Sequence, residues 1–252
     1  MLYVCLFLTP YSASCFLNPL YFLTLFLKLV IRKIGFALIW LGFSVYAFTL
    51  APPTQPDTFD LIVNLSTGKW EGINPLIVAL FNLMGVWPMI YACLVLIDGV
   101  GQKVPAWPFV AASFGVGAFA ILPYMALRDR NTTFTPPQSK LLSLLESPWT
   151  GRLLLLGALT LLGYGLLNGN LSDNWHDFVY QWKTGQFIHV MSLDFCMLCV
   201  IFAPLLADDM AKRNFQNPAI FWTAVLVPLL GILIYLSVRP AMENRTAAVE
   251  QA

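Results

Sequence analysis

Long apolar stretches separated by short polar connections dominate this chain of 252 residues. Six of the stretches contain about 18–24 residues, the fourth being slightly shorter, which is enough to cross a hydrocarbon core of roughly 30 Å as helices. Most charged residues lie between the stretches rather than inside them. The pattern therefore predicts six transmembrane helices, over residues 34–51, 75–98, 108–127, 152–167, 187–206 and 219–238.

Two of the polar connections have an amphipathic pattern of their own. Residues 139–148, "SKLLSLLESP", place leucines behind a serine that can cap a helix. In residues 172–182, "SDNWHDFVYQW", the large apolar side chains recur at helical spacing. We expect one or two short helices lying in the membrane interface. The predicted fold is an all-α polytopic membrane helix bundle with about six transmembrane helices.

The first 29 residues are apolar, but two prolines and a polar "YSAS" interrupt them. The first basic residue is Lys28, so they do not follow the pattern of a secretory signal peptide. Two interpretations stay open: an extra membrane segment, or a start site assigned too far upstream, with Val30 as the true initiator. We divide the chain into this extension (1–29), a six-helix domain (30–240) and a polar tail (241–252).

The composition agrees with a protein that lives in lipid. Hydrophobic residues make up 58% of the chain and charged residues 11%, whereas soluble domains carry about 25% charged residues. The net charge of +1 provides no basic face for nucleic acid. The lysines and arginines divide seven against seven between the two sides of a six-helix arrangement, so their distribution predicts no orientation.

The fifth predicted helix contains the polar groups with the most chemical potential. His189, Cys196 and Cys199 lie on one seam of this helix, while Asp194 lies on another face, so a charge relay within the helix is disfavoured. The two cysteines sit in mid-helix, where burial raises a thiol pKa, which favours packing over redox chemistry. A metal site built on this seam would lack a fourth ligand, so we expect none.

Asp194 is the sharpest of these signals. A carboxylate inside a membrane helix costs several kcal/mol unless it is neutral, paired or facing water. An interhelical hydrogen bond that fixes packing is favoured over a role in proton transfer or substrate anchoring, and both interpretations stay open. The candidate partners are Asn82, Tyr124, Tyr164 and Arg128.

Two charged helix ends, "LRDR" (127–130) and "DDMAKR" (208–213), are interpreted as interfacial stops, with a docking surface as the alternative. The sequence contains no Walker loop, no GxGxxG, no HExxH and no paired carboxylate–histidine cluster. No repeat of the two halves is visible either, which disfavours a transporter built from inverted repeats.

Short motifs carry a resemblance to a known family. "NPLIVALFNLMGVWPMIY" (74–91), "ILPYMALR" (121–128), "SLDF" (192–195), "DDMAKR" and "LVPLLGILIYLSVRP" (226–240) resemble a family of uncharacterised integral membrane proteins of cyanobacteria and chloroplasts. The resemblance covers residues 34–240 and implies a multi-pass protein of the cyanobacterial thylakoid membrane. It implies no catalytic residue.

We therefore expect an accessory or scaffold protein that assists assembly or stabilisation of a photosynthetic membrane complex. Its partners would be membrane lipids and subunits of that complex. Chlorophyll and carotenoid are the candidate cofactors, with His189 and Asn82 as candidate pigment ligands. The alternative is a small membrane enzyme acting on a carotenoid, quinone or lipid, with Asp194 and His189 as its catalytic groups. A transporter is the third hypothesis.

Overall fold

A computed structural model describes residues 19–130 and 139–240, without the side chains of residues 19–26 and 28. The segments 1–18 and 241–252, most of the predicted extension and all of the predicted tail, lie outside the described residues. Within the described ranges the chain is helical and contains no strand. Its helices are α1 (Pro19–Val45), α2 (Thr58–Thr67), α3 (Pro75–Asp98), α4 (Trp107–Val116), α5 (Ala118–Leu127), α6 (Lys140–Glu146), α7 (Pro148–Leu167), α8 (Leu171–Thr184), α9 (Gln186–Ile201), α10 (Ala203–Lys212), α11 (Pro218–Leu226) and α12 (Leu230–Val238).

Four helical segments of the described chain are long and apolar enough to span a membrane. They are Leu29–Leu50, which comprises most of α1 and a π-helical turn at its end, then α3, α7 and the continuous pair α9–α10. Asparagine or serine caps α3 and α7, and proline follows each cap, as favourable helix starts require. The predicted helical membrane bundle is confirmed, but the predicted number of six spans is not.

The third predicted span is instead a helical hairpin formed by α4 and α5. The rings of Phe109 in α4 and Tyr124 in α5 lie 5.7 Å apart, although they come from opposite ends of the segment. Gln102, before α4, donates to the carbonyl of Asp129, after α5, and accepts from its amide, at 2.7 and 3.0 Å. Both ends of the hairpin therefore lie at the same end of the bundle.

The sixth predicted span is a second hairpin, formed by α11 and α12 around a turn at residues 227–229. Phe215, before α11, has its ring 6.5 Å from that of Tyr235, near the end of α12. Arg213 donates from Nη1 to the carbonyl of Pro240 at 2.7 Å. This hairpin also begins and ends on one side. The helices of each hairpin contain nine or ten residues and cover only about 15 Å, so a folded-back hairpin is too short to cross a hydrocarbon core of roughly 30 Å.

Both hairpins enter from the same end, which we call the charged end. It contains the ion pairs formed by Asp98, Arg128, Asp208, Asp209 and Arg239. The opposite end contains α2 and α8. Asn74, at the start of α3, donates to the carboxylate of Asp177 and the carbonyl of Asn174 in α8 at 2.7 Å, and these bonds hold α8 against the bundle.

Both segments predicted to form interfacial helices are helical, as α6 and α8, and α2 is a further short helix that the sequence pattern did not predict. α8 exposes both apolar and polar faces, with Trp175 stacked on Phe178 at 5.8 Å between ring centroids. Tryptophan-rich amphipathic helices of this kind lie at the headgroup level.

The four-span arrangement changes the charge count between the two sides. Ten described lysines and arginines now lie at or near the charged end, whereas only two lie at the opposite end. The positive-inside rule therefore predicts that the charged end faces the cytoplasmic side. The ten are Arg32, Lys33, Lys103, Arg128, Arg130, Lys140, Arg152, Lys212, Arg213 and Arg239, and the two are Lys69 and Lys183.

Candidate functional site

The side chain of Asp194 contacts the turn between α4 and α5, at Gly117 and Ala118, which we call the tip of the first hairpin. Its Oδ1 accepts a hydrogen bond from the backbone amide of Ala118 at 2.7 Å, and its side chain is buried. Ala118 begins α5, so this amide has no partner within its own helix. The carboxylate thus provides an acceptor for a helix N-terminus that would otherwise be buried without one, at a cost of about 1–3 kcal/mol.

Gly117 makes this contact possible. Its φ of 52° lies in the left-handed region, and a Cβ at this position would lie 2.7 Å from Cγ of Asp194 and closer still to Oδ2. The chain therefore turns at a residue without a side chain, directly against the carboxylate. The structural interpretation of Asp194 is thus supported by its geometry.

The partners that we predicted for Asp194 are engaged elsewhere. Tyr124 and Arg128 both donate to Asp98. The amide of Asn82 donates to the carbonyl of Val78 in its own helix at 2.8 Å, and the ring of Tyr164 packs 5.4 Å from that of Trp70. The sequence indicated the need for a partner but not its identity, because a backbone amide leaves no mark in the residue types.

His189 lies near the start of α9, packed against aromatic side chains. Its ring stacks on Trp182 at 4.5 Å between centroids. Nδ1 lies 2.9 Å from the carbonyl of Trp182 and Nε2 lies 2.8 Å from the hydroxyl of Tyr46. A neutral ring with its proton on Nδ1 satisfies both bonds, since the carbonyl can only accept. To ligate a pigment through Nε2, His189 would have to give up the Tyr46 bond.

The structure does not bring the predicted chemical groups together into one site. His189 is bonded near the start of α9, whereas Asp194 faces the first hairpin. Cys196 and Cys199 are free thiols, the first exposed and the second half-buried. Within the described ranges no three histidine, cysteine, aspartate or glutamate side chains could hold a metal ion. A shallow polar pocket of about 380 Å³ opens at the opposite end, between Asp57 of α2 and Tyr180 of α8.

The main concentration of polar groups lies at the charged end, in what we call the first charge cluster: Asp98, Tyr124, Arg128, Arg130, Asp208 and Lys212. Arg128 is fully buried and donates from Nε and Nη2 to the two oxygens of Asp98 at 2.8 and 2.7 Å. Its Nη2 also donates to Asp208, which accepts a further bond from Arg130 at 3.1 Å. Tyr124 also donates to Asp98, at 2.7 Å, and Lys212 lies 3.5 Å from the same carboxylate.

A second charge cluster repeats this arrangement with other residues: Glu146, Asp209, Arg213, Tyr235 and Arg239. The hydroxyl of Tyr235 donates to Asp209 at 2.6 Å, and Arg239 lies 3.5 Å from the same carboxylate. Arg213 pairs with Asp209 at 2.9 Å and with Glu146 at 3.4 Å. Our interpretation of "LRDR" and "DDMAKR" as interfacial stops was thus incomplete, because most of their charged side chains are buried against each other.

The two clusters are related by an internal repeat. In each cluster a tyrosine binds an aspartate 26 residues earlier, and in each hairpin the bond that joins the two ends spans 27 residues. The corresponding residues are 111 positions apart: Asp98 and Asp209, Tyr124 and Tyr235, Arg128 and Arg239. The repeated motifs are "ILPYMALR" and "ILIYLSVR", at residues 121–128 and 232–239.

The repeat includes the order of the helices. Span, interfacial helix, span and hairpin follow one another as α1, α2, α3 and α4–α5, and again as α7, α8, α9–α10 and α11–α12. Both copies run in the same direction, so this is a parallel repeat. Our expectation that the halves show no repeat was wrong. Aligning the chain with itself at an offset of 111 residues would have revealed it.

Comparison of the chain with protein-family models, curated proteins and solved structures finds no match.

Proposed function

We propose that this protein is a non-enzymatic accessory protein of a membrane complex and that α1 binds a helix of a partner subunit. The observation that carries the proposal is the surface of α1. Only 6% of its most apolar window is buried in the bundle, against 61% for α3. A membrane helix with so little cover within its own chain offers a long surface to another helix.

Six exposed side chains of α1 and of the π-helical turn after it have the spacing of a helix–helix seam. They recur at intervals of three and four residues along one stripe, which is the spacing of knobs-into-holes packing. Every member is at least half exposed or nearly so. The stripe consists of Ile31, Ile34, Leu38, Leu41, Val45 and Phe48. Other exposed side chains, among them Ile39 and Trp40, do not belong to this stripe.

The polar groups of the bundle also favour a structural role. Asp194 caps α5, His189 joins α9 to α1, and the charge clusters tie the hairpins to the spans. The resemblance to a cyanobacterial and chloroplast family suggests that the complex is photosynthetic and the membrane is the thylakoid. Both remain proposals, as do bound chlorophyll and carotenoid.

Tagged purification of the full chain in mild detergent tests this function. We expect stoichiometric partner subunits in the eluate, and their loss when Leu38 and Leu41 are both changed to alanine. The matched control is Leu153→Ala with Leu156→Ala, because these leucines are as exposed on α7. A protein that purifies alone, or that loses its partners equally in both double variants, would contradict the proposal.

The enzyme hypothesis makes a different prediction for the same preparation. Asp194→Asn would change the pigment or lipid composition of the membrane while the protein accumulates normally. Under the accessory hypothesis this variant leaves that composition unchanged wherever the protein and its complex accumulate.

A further inference from the structure

The first charge cluster contains more positive than negative charge. Arg128, Arg130 and Lys212 face the carboxylates of Asp98 and Asp208. Arg32 of α1 adds a further positive charge, since it lies within the electrostatic influence of Arg128, Arg130 and both carboxylates. Four cations therefore share two described anions, whereas the second charge cluster pairs two arginines with Asp209 and Glu146.

Donors of two guanidinium groups in this region are buried without a partner among the described residues. They are Nη1 of Arg128 and both Nε and Nη2 of Arg32. The side chain of Arg128 is wholly buried, and its other two nitrogens are directed to carboxylates. Buried charged donors without acceptors are costly, so such a pair of arginines calls for an anion.

The nearby sequence offers no carboxylate for this role. Residues 131–138, which follow Arg130, contain no ionisable side chain. Asp129 is used by Lys33, whose Nζ lies 2.6 Å from Oδ1. Glu243 and Glu250, which follow Pro240 in the sequence, lie outside the described residues.

We propose that Arg32 and Arg128 bind an oxyanion of the phosphate type, and that a headgroup of an anionic lipid supplies it. Guanidinium groups present planar pairs of donors that match phosphate oxygens. Arg32 lies near the start of the Leu29–Leu50 span, next to the Lys33–Asp129 pair at the charged end of the bundle, and so at the level expected for headgroups. A monoanionic phosphodiester removes half of the excess charge and provides acceptors for the unpaired donors.

Thermal unfolding of the full chain in detergent tests the site. Phosphatidylglycerol is added and compared with phosphatidylcholine and with inorganic phosphate. We expect phosphatidylglycerol to raise the Tm of the wild type saturably, and Arg32→Gln to weaken its apparent affinity by at least about tenfold, because charge-assisted hydrogen bonds are lost. Lys33→Gln is the matched control: it removes a charge from the next residue but should retain the binding.

The variant also has a readout without lipid. Because Arg32→Gln removes a buried cation that lies beside another cation, its Tm in lipid-free detergent should equal or exceed that of the wild type. Arg32→Lys, which keeps the charge but loses the fork of donors, should bind phosphatidylglycerol with intermediate affinity. Native mass spectrometry of retained lipid provides the same comparison if a variant accumulates poorly.

Stabilisation by inorganic phosphate as well as by phosphatidylglycerol would support the oxyanion site and identify phosphate as its chemistry. Stabilisation by inorganic phosphate alone would overturn the lipid source but keep the oxyanion. Equal Tm shifts for the wild type and Arg32→Gln would overturn the site. A wild type that binds neither ligand would also overturn it, whether or not binding appears in the double variant Glu243→Gln/Glu250→Gln. None of these outcomes depends on partner subunits, so the site and the accessory function can fail separately.

Discussion

The two halves of the bundle agree at the charged end and differ at the tips of their hairpins. In both halves a tyrosine and an arginine at the end of the hairpin hold an aspartate at the end of the preceding span. At the first tip Asp194 binds the amide of Ala118. The counterparts 111 residues away are Leu83 and Leu229, which both belong to the apolar core.

This difference shows which part of the repeat has little freedom to change. We call these groups the two triads: Asp98, Tyr124 and Arg128 in the first half, and Asp209, Tyr235 and Arg239 in the second. Loss of one member of a buried ion pair leaves an uncompensated charge, so the triads tolerate few substitutions. A hairpin tip needs only close packing and satisfied backbone groups, which different residues can provide. The second tip accepts a leucine, Leu229, at a φ of 62°, a conformation that costs of order 1–3 kcal/mol and that glycine adopts freely.

The largest expected effects come from breaking the two triads separately. Asp98→Asn and Asp209→Asn should each lower the free energy of unfolding by about 3–5 kcal/mol, since each leaves a buried arginine without its full charge partner. Asp129→Asn, which alters an exposed carboxylate, is the control and should have little effect. Denaturant or thermal unfolding in detergent measures all three. A marked difference between the first two variants would show that the halves are not energetically equivalent.

A methyl group at the first tip should have the next largest effect. Gly117→Ala should destabilise by about 2–3 kcal/mol, because alanine is strained at this φ and its Cβ would collide with Asp194. Gly115→Ala is a close control in α4, where a Cβ meets nothing within 4 Å. We expect that variant to be neutral or slightly stabilising, as in other exposed helix positions. Equal losses of stability would mean that the turn does not lie at Gly117.

Replacing Asp194 by leucine makes the first tip resemble the second. Asp194→Leu leaves the amide of Ala118 unpaired and should cost about 1–3 kcal/mol. Asp194→Asn keeps an acceptor oxygen and should cost less. If the leucine variant were as stable as the asparagine variant, the hydrogen bond to Ala118 would not be what holds this tip.

The smallest expected effect is on the pH dependence of stability and concerns Asp129. Its counterpart 111 residues later is Pro240, which has no ionisable side chain. The hydrogen bond from Lys33 holds the pKa of Asp129 below its ordinary value of 3.8. Its contribution to stability is therefore present above the ordinary pKa and is lost as the pH falls through the lower, folded-state pKa. The contribution is small because the pair is partly exposed. Lys33→Gln should make stability less dependent on pH below about 4, and Lys103→Gln, which removes only a weaker charge interaction with the same carboxylate, should do so to a smaller extent.

The sequence predicted the apolar segments better than their topology. The boundaries of α3 match the prediction, and the segments that form α4–α5 and α11–α12 were correctly read as apolar. Hydropathy measures apolar length, so it cannot distinguish one helix of twenty residues from two helices of ten that fold back. The available signal for a turn was Gly117 in the middle of the segment, because glycine adopts the left-handed conformation that lets a chain reverse.

The polar groups were predicted in the same partial way. That Asp194 needs a buried partner followed from the cost of its charge, but the partner is a backbone amide. The charge clusters escaped prediction because their ion pairs, apart from Arg213–Asp209 at the end of one helix, join residues 30 to 114 positions apart. Helix-end charges usually face solvent, and only the fold shows that these face each other.

Two hairpins, rather than two further spans, would complete a bundle of four spanning helices, and the side of the membrane on which each hairpin begins and ends tests this directly. Single cysteines at Lys103, Arg130 and Lys69, in a chain without its five native cysteines, can be labelled in sealed vesicles with a reagent that does not cross the membrane. If α4 and α5 form a hairpin, positions 103 and 130 label from the same side and position 69 labels from the other. Labelling of positions 103 and 130 from opposite sides would contradict the hairpin and restore a third span.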